Sequence, residues 1–429
     1  MAASAREVAL DVLGRVAARR TTLAEALAAP AAERLDERER GFLHELVLGT
    51  LRRRGWLDHV LARLSSRPLD RLTPGVLDAL RLGAYQLLFL RVPPHAALSE
   101  SVELARRVEP RSAGFANAVL RRLQRDGPPS QPDPAADPTA WLTSAGSLPA
   151  WLAERWCARL GAEGAVARAR ALLVPPPTHV RLNPRVADAE RQVAAAGVSL
   201  RPTAVPGAFE AEGGRLGPLA ERGLLYVQDA ASQLVARLAA SEGRVLDACA
   251  APGGKALLMA DLGGERTRVI AAESSRRRLA TLVRLRRRWG ATNVFPLAAD
   301  ARRPPFAAAF DAVLLDAPCS GLGTLARNPD IRWRLAPGDF AAHAARQAAL
   351  LERLAPLVRP GGRLVYATCS VEPEENDGVL TPFLEEHPDF EAESLPEWAS
   401  GFGDAGLVHL DPARHRTDSF FAARLRRAG

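Results

Sequence analysis

The sequence is almost free of lysine. Lys and Arg together number 57, and Lys255 is the only lysine among them. Arginine therefore serves wherever charge alone is needed, and a retained lysine indicates a site that requires a compact charge or a short reach. Chance survival of one lysine is the alternative interpretation. The scarcity directs attention to the segment around Lys255.

Cysteines and long apolar runs are also scarce. The cysteines form no CxxC pair and no ligand cluster with the eight histidines, so neither a disulfide framework nor a metal site is predicted. Their number and spacing favour reduced thiols in the cytoplasm. No apolar run has the length of a membrane span, and the amino-terminal residues lack the apolar region of a signal peptide. We therefore expect a cytoplasmic protein without a membrane or metal partner.

Length and charge predict several domains and a polyanionic partner. The chain has 429 residues, which is typical of two or three domains. Its net charge of +8 and pI near 10.2 attract phosphate backbones. Charge alone does not distinguish RNA from DNA.

Residues 1–126 have a helical pattern throughout. Apolar residues recur three and four positions apart, for example from Phe42 to Leu51. Asp36 and Thr73 are typical helix starts, and Val92-Pro93-Pro94 breaks the pattern. We predict an all-helical first domain.

Residues 127–138 are rich in proline and predict a linker to a small α+β middle domain at 139–240. The middle domain has an amphipathic helix pattern around 148–160 and a strand pattern at 178–183.

Two features of these domains are candidates for RNA contact. Arginine clusters at Arg52–Arg54 and Arg121–Arg122 fit a solvated helix face or an RNA contact equally well. Alternation in the middle-domain strand places His179, Arg181 and Asn183 on one polar face. That face is typical of an exposed strand and also of a nucleic-acid contact.

Residues 241–429 alternate strand and helix patterns, which predicts a doubly wound, Rossmann-like α/β domain. Helix candidates include Arg276–Trp289, closed by Gly290, and Asp339–Val358, stopped by Pro360-Gly361-Gly362. The strand candidates are 245–247, 269–273, 294–297, 312–316, 364–368, 407–410 and 420–425.

A glycine-rich loop and a row of acids predict a cofactor site at one edge of that sheet. Val245–Lys255 passes from a strand through two glycines into a helix, which allows a nucleotide-like cofactor to approach the backbone. Acids at or near four strand ends are suited to hold hydroxyl and amine groups. Any one could cap a helix, but four together favour a binding site. The acids are Asp247, Glu273, Asp300 and Asp316.

Cys319 and Cys369 each follow a strand at the same edge. A free cysteine is usually an inert apolar residue, whereas a loop near helix amino termini and arginines favours the thiolate. Cys157 and Cys249 take the inert interpretation. Gly321–Ala326 fits the GxGxxA fingerprint, but Asn328-Pro329 follows at once and leaves no helix to bind a pyrophosphate.

Four motifs resemble the Sun/Fmu family of RNA cytosine-5 methyltransferases. They are Asp-Ala-Cys-Ala-Ala-Pro-Gly-Gly-Lys at 247–255, Asp-Ala-Pro-Cys-Ser-Gly at 316–321, Arg-Asn-Pro-Asp-Ile-Arg-Trp at 327–333 and Tyr-Ala-Thr-Cys-Ser-Val-Glu-Pro-Glu-Glu-Asn at 366–376. The first domain, with Ser112–Arg122, resembles the NusB-like domain of the branch that methylates bacterial small-subunit ribosomal RNA. Departures from the family pattern are Glu273 for Asp, Ala256 for Thr and Ser419 for Gly.

The resemblance implies S-adenosylmethionine as cofactor and 16S ribosomal RNA as partner of a monomeric enzyme. It implies that Glu273 holds the ribose, that Asp300 lies on the adenine side and that Asp316 lies between donor and target. Cys369 would attack carbon 6 of a cytosine, and Cys319 would assist release of the adduct. The loop that would hold the methionine end and adenosine comprises Cys249, Ala250, Ala251, Pro252, Gly253, Gly254 and Lys255.

Other functions compete with this one. The same chemistry on transfer RNA is opposed only by the first domain, whereas the basic charge and two extra domains oppose a small-molecule substrate. A non-catalytic RNA-binding assembly factor is opposed by the presence of both cysteines and all the strand-end acids.

Overall fold

A computed structural model describes residues 3–307 and 309–429, so the predicted ranges 1–126 and 241–429 each include residues outside this description. The described residues form eighteen helices. They are α1 Ala5–Ala17, α2 Leu23–Leu27, α3 Pro30–Glu33, α4 Glu37–Leu64, α5 Pro74–Phe89, α6 Pro94–Val108, α7 Ala113–Asp126, α8 Pro138–Thr143, α9 Ala150–Leu172, α10 Ala189–Ala195, α11 Leu216–Glu221, α12 Ala230–Ala239, α13 Gly254–Leu262, α14 Arg276–Trp289, α15 Ile331–Arg334, α16 Asp339–Leu354, α17 Asp377–Glu386 and α18 Pro412–His415.

Thirteen strands form two sheets within the same described residues. The strands are β1 His179–Leu182, β2 Val198–Pro202, β3 Phe209–Gly213, β4 Leu225–Val227, β5 Arg244–Asp247, β6 Arg268–Glu273, β7 Val294–Ala298, β8 Phe310–Asp316, β9 Val358–Thr368, β10 Phe390–Ala392, β11 Gly403–Asp404, β12 Leu407–His409 and β13 Phe421–Arg427. Short 3-10 turns lie at Leu69–Arg71, Pro110–Ser112, Leu322–Thr324, Ala355–Leu357, Pro373–Glu375 and Glu397–Phe402.

The chain divides into two compact units. The first contains the described residues up to Pro175 together with Leu325–Leu335, and the second contains Pro176–Thr324 and Ala336–Gly429. Helices α8 and α9 therefore belong to the first unit, whereas the small sheet of β1 to β4 belongs to the second. The domain boundaries at 126, 138 and 240 stay predictions.

The first unit is helical, as predicted. Asp36 caps α4 by accepting a hydrogen bond from the backbone N–H of Glu39, and Thr73 precedes α5 with Pro74 in its first turn. The break predicted at Val92–Pro94 is also confirmed, because α5 ends at Phe89 and α6 begins at Pro94.

The segment Leu325–Leu335 is held inside this helical unit by buried arginines. Arg332 is fully buried and donates to the carbonyls of Ser147 and Leu325, each at 3.2 Å. Arg52 is also buried and donates to the carbonyl of Ala326 at 2.8 Å. Both interpretations offered for Arg52, a solvated face and an RNA contact, are wrong, because its guanidinium satisfies a carbonyl inside the unit.

The large sheet of the second unit confirms the doubly wound, Rossmann-like prediction. Its order is β11-β12-β13-β9-β8-β5-β6-β7, and β5 to β9 run parallel. The chain moves outward from β5 to β7 and then crosses to β8 on the other side of β5. Ligands bind outside the carboxyl ends of the strands at such a reversal. Layers of apolar side chains cover both faces of the sheet.

Most strand and helix predictions for this unit are confirmed within a few residues, and α14 spans Arg276–Trp289 as predicted. The helix predicted to run to Val358 is wrong at its end. It stops at Leu354, and Pro360–Gly362 lie within β9. The apolar residues after Leu354 form a 3-10 turn and then a buried strand, and a short apolar run does not distinguish helix from strand.

The polar face predicted on β1 is buried, so both of its proposed environments are wrong. His179, Arg181 and Asn183 are each 2–3% exposed. Arg181 pairs with Asp261 at 3.1 Å and lies 4.2 Å from the centre of the Trp289 ring. A period of two separates the faces of a strand, but it does not say what packs against each face.

Candidate active site at the β5–β8 switch point

The glycine loop after β5 is shaped by close contacts that exclude larger residues. Gly253 has φ of 114°, and a Cβ there would lie 2.9 Å from Cγ of Leu282. A Cβ on Gly254 would lie 2.5 Å from the Tyr226 ring. The loop can therefore turn sharply into α13 only with glycine at these positions.

Seven of the predicted site residues line one cavity of about 470 Å³, a size typical of small-molecule sites. They are Cys249, Ala251, Glu273, Asp300, Asp316, Cys319 and Cys369. The remaining predicted loop residues, which are not among the side chains that line it, are Ala250, Pro252, Gly253, Gly254 and Lys255.

Lys255 reaches back from α13 to the strand ends. Its Nζ lies 2.7 Å from Oδ2 of Asp316 and 5.5 Å from the centre of the Phe420 ring. Burial lowers the pKa of Lys255, but Asp316 and Asp247 more than offset this, so its pKa is raised. The lysine is therefore held as a cation at the edge of the sheet.

Asp247 is a buried acid whose two carboxylate oxygens have no hydrogen-bond partner in the structure. It is 1% exposed, and burial raises its pKa to about 7 although Lys255 acts to lower it. An unpaired buried carboxylate is costly unless it meets a donor or a cation. The arrangement fits a cationic or hydrogen-bond-donating ligand group at this position.

Glu273 and Asp300 differ in their surroundings. Glu273 is buried at the end of β6 and accepts a hydrogen bond from the backbone N–H of Ser275 at 2.8 Å. Asp300 is partly exposed and is paired with Arg302 at 2.6 Å, and this hydrogen bond lowers its pKa. Glu273 therefore offers a fixed acceptor, whereas Asp300 lies at the open side of the cavity.

The two cysteines meet because their strands are neighbours. Asp316 at the end of β8 pairs with Ala367 near the end of β9, so the loops that follow start side by side. The sulfur atoms of Cys319 and Cys369 are 3.1 Å apart, and both thiols are free. Gly323 fits between these loops, since its N–H donates to the carbonyl of Cys369.

The environment does not favour a thiolate at every cysteine. Its hydrogen bond with Cys369, followed by burial, raises the pKa of Cys319 well above its usual value. Burial raises the pKa of Cys249 to about 12, which agrees with the inert interpretation. The cation that interacts electrostatically with Cys369 is Lys255 rather than an arginine.

The sequence interpretation missed a role for Arg278. We assigned the arginines of α14 to a solvated face or an RNA contact. Arg278 instead lines the cavity, donates to the carbonyl of Ala251 at 3.1 Å and lies 3.4 Å from Glu273. Its place in the first turn after a strand-end acid was the available signal.

Together, the reversal in strand order, the glycine loop and the strand-end acids define a Rossmann-like methyltransferase. Residues 235–426 match the model of the 16S rRNA methyltransferase RsmB/F family, and residues 3–125 match the NusB family.

Relatives of known name agree along nearly the whole chain. The Bacillus subtilis protein called "Probable ribosomal RNA small subunit methyltransferase B" is 36% identical over 92% of each chain. Ribosomal RNA small subunit methyltransferase B of Thermus thermophilus is 40% identical over 91% of this chain and 89% of its own. The crystal structure of PH0851 is 26% identical, with a TM-score of 0.79 over 99% of each chain. The chain belongs to the ribosomal RNA small subunit methyltransferase B family.

Two further findings concern the described residues only. No helix among them combines the length and apolar character needed to cross a membrane. They also contain no group of three or more His, Cys, Asp and Glu side chains arranged to hold a metal ion.

Proposed function

We propose that this protein transfers a methyl group from S-adenosylmethionine to carbon 5 of a cytosine in 16S ribosomal RNA. The observation that carries the proposal is the pair of thiols 3.1 Å apart at a cavity that is also lined by strand-end acids. Family membership and the names of the relatives support ribosomal RNA as the substrate.

The cavity residues suit S-adenosylmethionine. Its amino group answers the unpaired carboxylate of Asp247, Glu273 would hold the ribose hydroxyls, and Asp300 would lie on the adenine side. The predicted loop from Cys249 to Lys255 would supply backbone contacts. When bound, the cofactor supplies an electrophilic methyl group next to Asp316.

The cysteines would activate the target base by covalent catalysis. Carbon 5 of cytosine is a poor nucleophile, and attack of the Cys369 thiolate on carbon 6 makes it reactive enough to accept a methyl group. After loss of the carbon 5 proton, expulsion of the Cys369 thiolate restores the double bond, and Cys319 assists this release. Lys255 is placed to stabilise the thiolate of Cys369.

The remaining domains would bind the RNA. We assign RNA contact to the helical region 1–126 and to the middle region 139–240, because a net charge of +8 favours a phosphate backbone. The target cytosine must leave its stack to reach the cavity. We propose a monomer in the cytoplasm.

The decisive test is to incubate the Cys319→Ala variant with S-adenosylmethionine and 16S ribosomal RNA and to separate the products on a denaturing gel. We expect a covalent RNA adduct that disappears when Cys369→Ala is added, because adduct formation needs Cys369 and its release needs Cys319. Cys157→Ala, on a helix of the first unit, is the matched control and should behave as wild type.

Other outcomes identify the alternatives. An adduct with transfer RNA but not with 16S ribosomal RNA would move the substrate assignment. Absence of methyl transfer by the wild-type protein on either RNA, with RNA binding intact, would favour the assembly factor.

A further inference from the structure

A buried carboxylate joins the two loops that carry the cysteines. Oε1 of Glu375 accepts hydrogen bonds from the backbone N–H of Ser320 at 2.8 Å and from Nε2 of Gln347 at 3.1 Å. Its Oε2 accepts from the hydroxyl of Ser320 at 2.5 Å and from the hydroxyl of Ser370. Glu375 is fully buried.

The two serines are the immediate neighbours of the thiols. Ser320 follows Cys319, and Ser370 follows Cys369. One carboxylate thus holds the backbone next to each sulfur, and the two serine hydroxyls are also within 3.2 Å of each other. A shift of Glu375 would therefore change the distance between the thiols.

Further hydrogen bonds hold the carboxylate in place. Gln347 also donates to the carbonyl of Pro318 at 3.0 Å, on the other side of Cys319. The hydroxyl of Tyr366 donates to the backbone carbonyl of Glu375 at 2.5 Å. A buried network in which every member is satisfied is rigid, since a displaced member would leave buried polar groups unpaired.

The charge of Glu375 also acts on one thiol. After the hydrogen bond with Cys369 and burial, Glu375 contributes to raising the pKa of Cys319. Cys319 therefore keeps its proton and can donate its S–H to a Cys369 thiolate. This asymmetry agrees with Cys369 as the attacking sulfur.

We propose that Glu375 is a positioning residue that sets the placement of both thiols, through Ser370 for Cys369 and through Ser320 for Cys319. The inference rests on the proposed function, because it assigns a different step to each thiol. The Ser370 contact serves adduct formation, and the Ser320 contact serves adduct breakdown.

The test compares Glu375→Gln, Ser370→Ala and Ser320→Ala with Glu385→Gln, an exposed position on α17, as the matched control. Methyl transfer to 16S ribosomal RNA and the adduct fraction on a denaturing gel are measured for each. Glu375→Gln replaces an acceptor oxygen by a donor, so we expect kcat to fall about 100-fold while KM for S-adenosylmethionine changes less than twofold.

The serine variants separate positioning from stability, because each removes only one hydroxyl. Ser370→Ala should slow adduct formation, whereas Ser320→Ala should raise the adduct fraction above that of wild type. Equal losses in both variants with an unchanged adduct fraction would overturn the proposal, as would a folded Glu375→Gln variant with wild-type kcat.

If Glu375→Gln does not fold, the two serine variants decide the question alone. Failure of the proposed function is visible separately, since wild-type protein would then give no methylated cytosine and Cys319→Ala would give no adduct.

Discussion

Nζ of Lys255, the only lysine in the chain, forms a 2.7 Å ion pair with Oδ2 of Asp316 across the loop that joins β5 to α13. The pair links the helix after the first parallel strand to the end of β8, on the opposite side of the switch point. It places one cation beside the acids and beside Cys369.

Replacing Lys255 by arginine should impair methyl transfer although the charge is kept. The longer, planar guanidinium does not fit a site built for a compact ammonium 2.7 Å from Asp316. We expect kcat/KM to fall at least about tenfold, measured with 16S ribosomal RNA. Arg284→Lys on the exposed face of α14 is the control. Wild-type activity in Lys255→Arg would mean that this lysine survived by chance.

Asp247→Asn should change how stability depends on pH. The pKa of Asp247 is about 7 in the folded chain, against an ordinary value of 3.8, so the folded state takes up a proton between these pH values. This group therefore makes wild-type stability fall as pH rises from about 4 to 7, and the asparagine variant lacks that loss.

The free energy of unfolding of Asp247→Asn relative to wild type should accordingly rise between pH 5 and pH 8, by up to about 3 kcal/mol. Urea unfolding without cofactor at pH 5, 6, 7 and 8 measures it. A difference that is constant with pH would show that Asp247 has an ordinary pKa.

Arg181→Met should destabilise the second unit rather than weaken RNA binding. Arg181 is buried, and its loss leaves Asp261 with one charge partner fewer, which costs about 3 kcal/mol. Arg191→Met removes an exposed pair with Asp188 and should cost less than about 1 kcal/mol. Urea unfolding and RNA titration of both variants separate the effects. Lost RNA affinity at unchanged stability would return Arg181 to the RNA-binding face.

Affinity for RNA should fall steeply with salt. A basic protein that neutralises several phosphates releases counterions, so the dissociation constant should rise at least about tenfold between 50 and 200 mM salt. Fluorescence titration of a 16S ribosomal RNA fragment at four salt concentrations gives the slope. A flat dependence would show that the basic surface does not bind the RNA.

Much of the local structure could be predicted because it depends on residues close in sequence. The helical spacing of the first 126 residues, the cap at Asp36 and the extent of α14 follow from periodicity and end signals. The strand ends that carry Asp247, Glu273 and Asp316 were predicted for the same reason. The end of α16 was not, because its last apolar residues suit a helix and a buried strand equally.

The sequence by itself determined which residues could belong to the site, because strand–loop–helix patterns place them at one edge of a parallel sheet. Only the tertiary structure decided how they are arranged. The 3.1 Å approach of Cys319 to Cys369 depends on the register of β8 against β9, and Glu375 meets both loops only after that pairing exists. Burial of Arg181 was likewise decided by packing against Trp289, a contact between residues more than a hundred positions apart that no local pattern encodes.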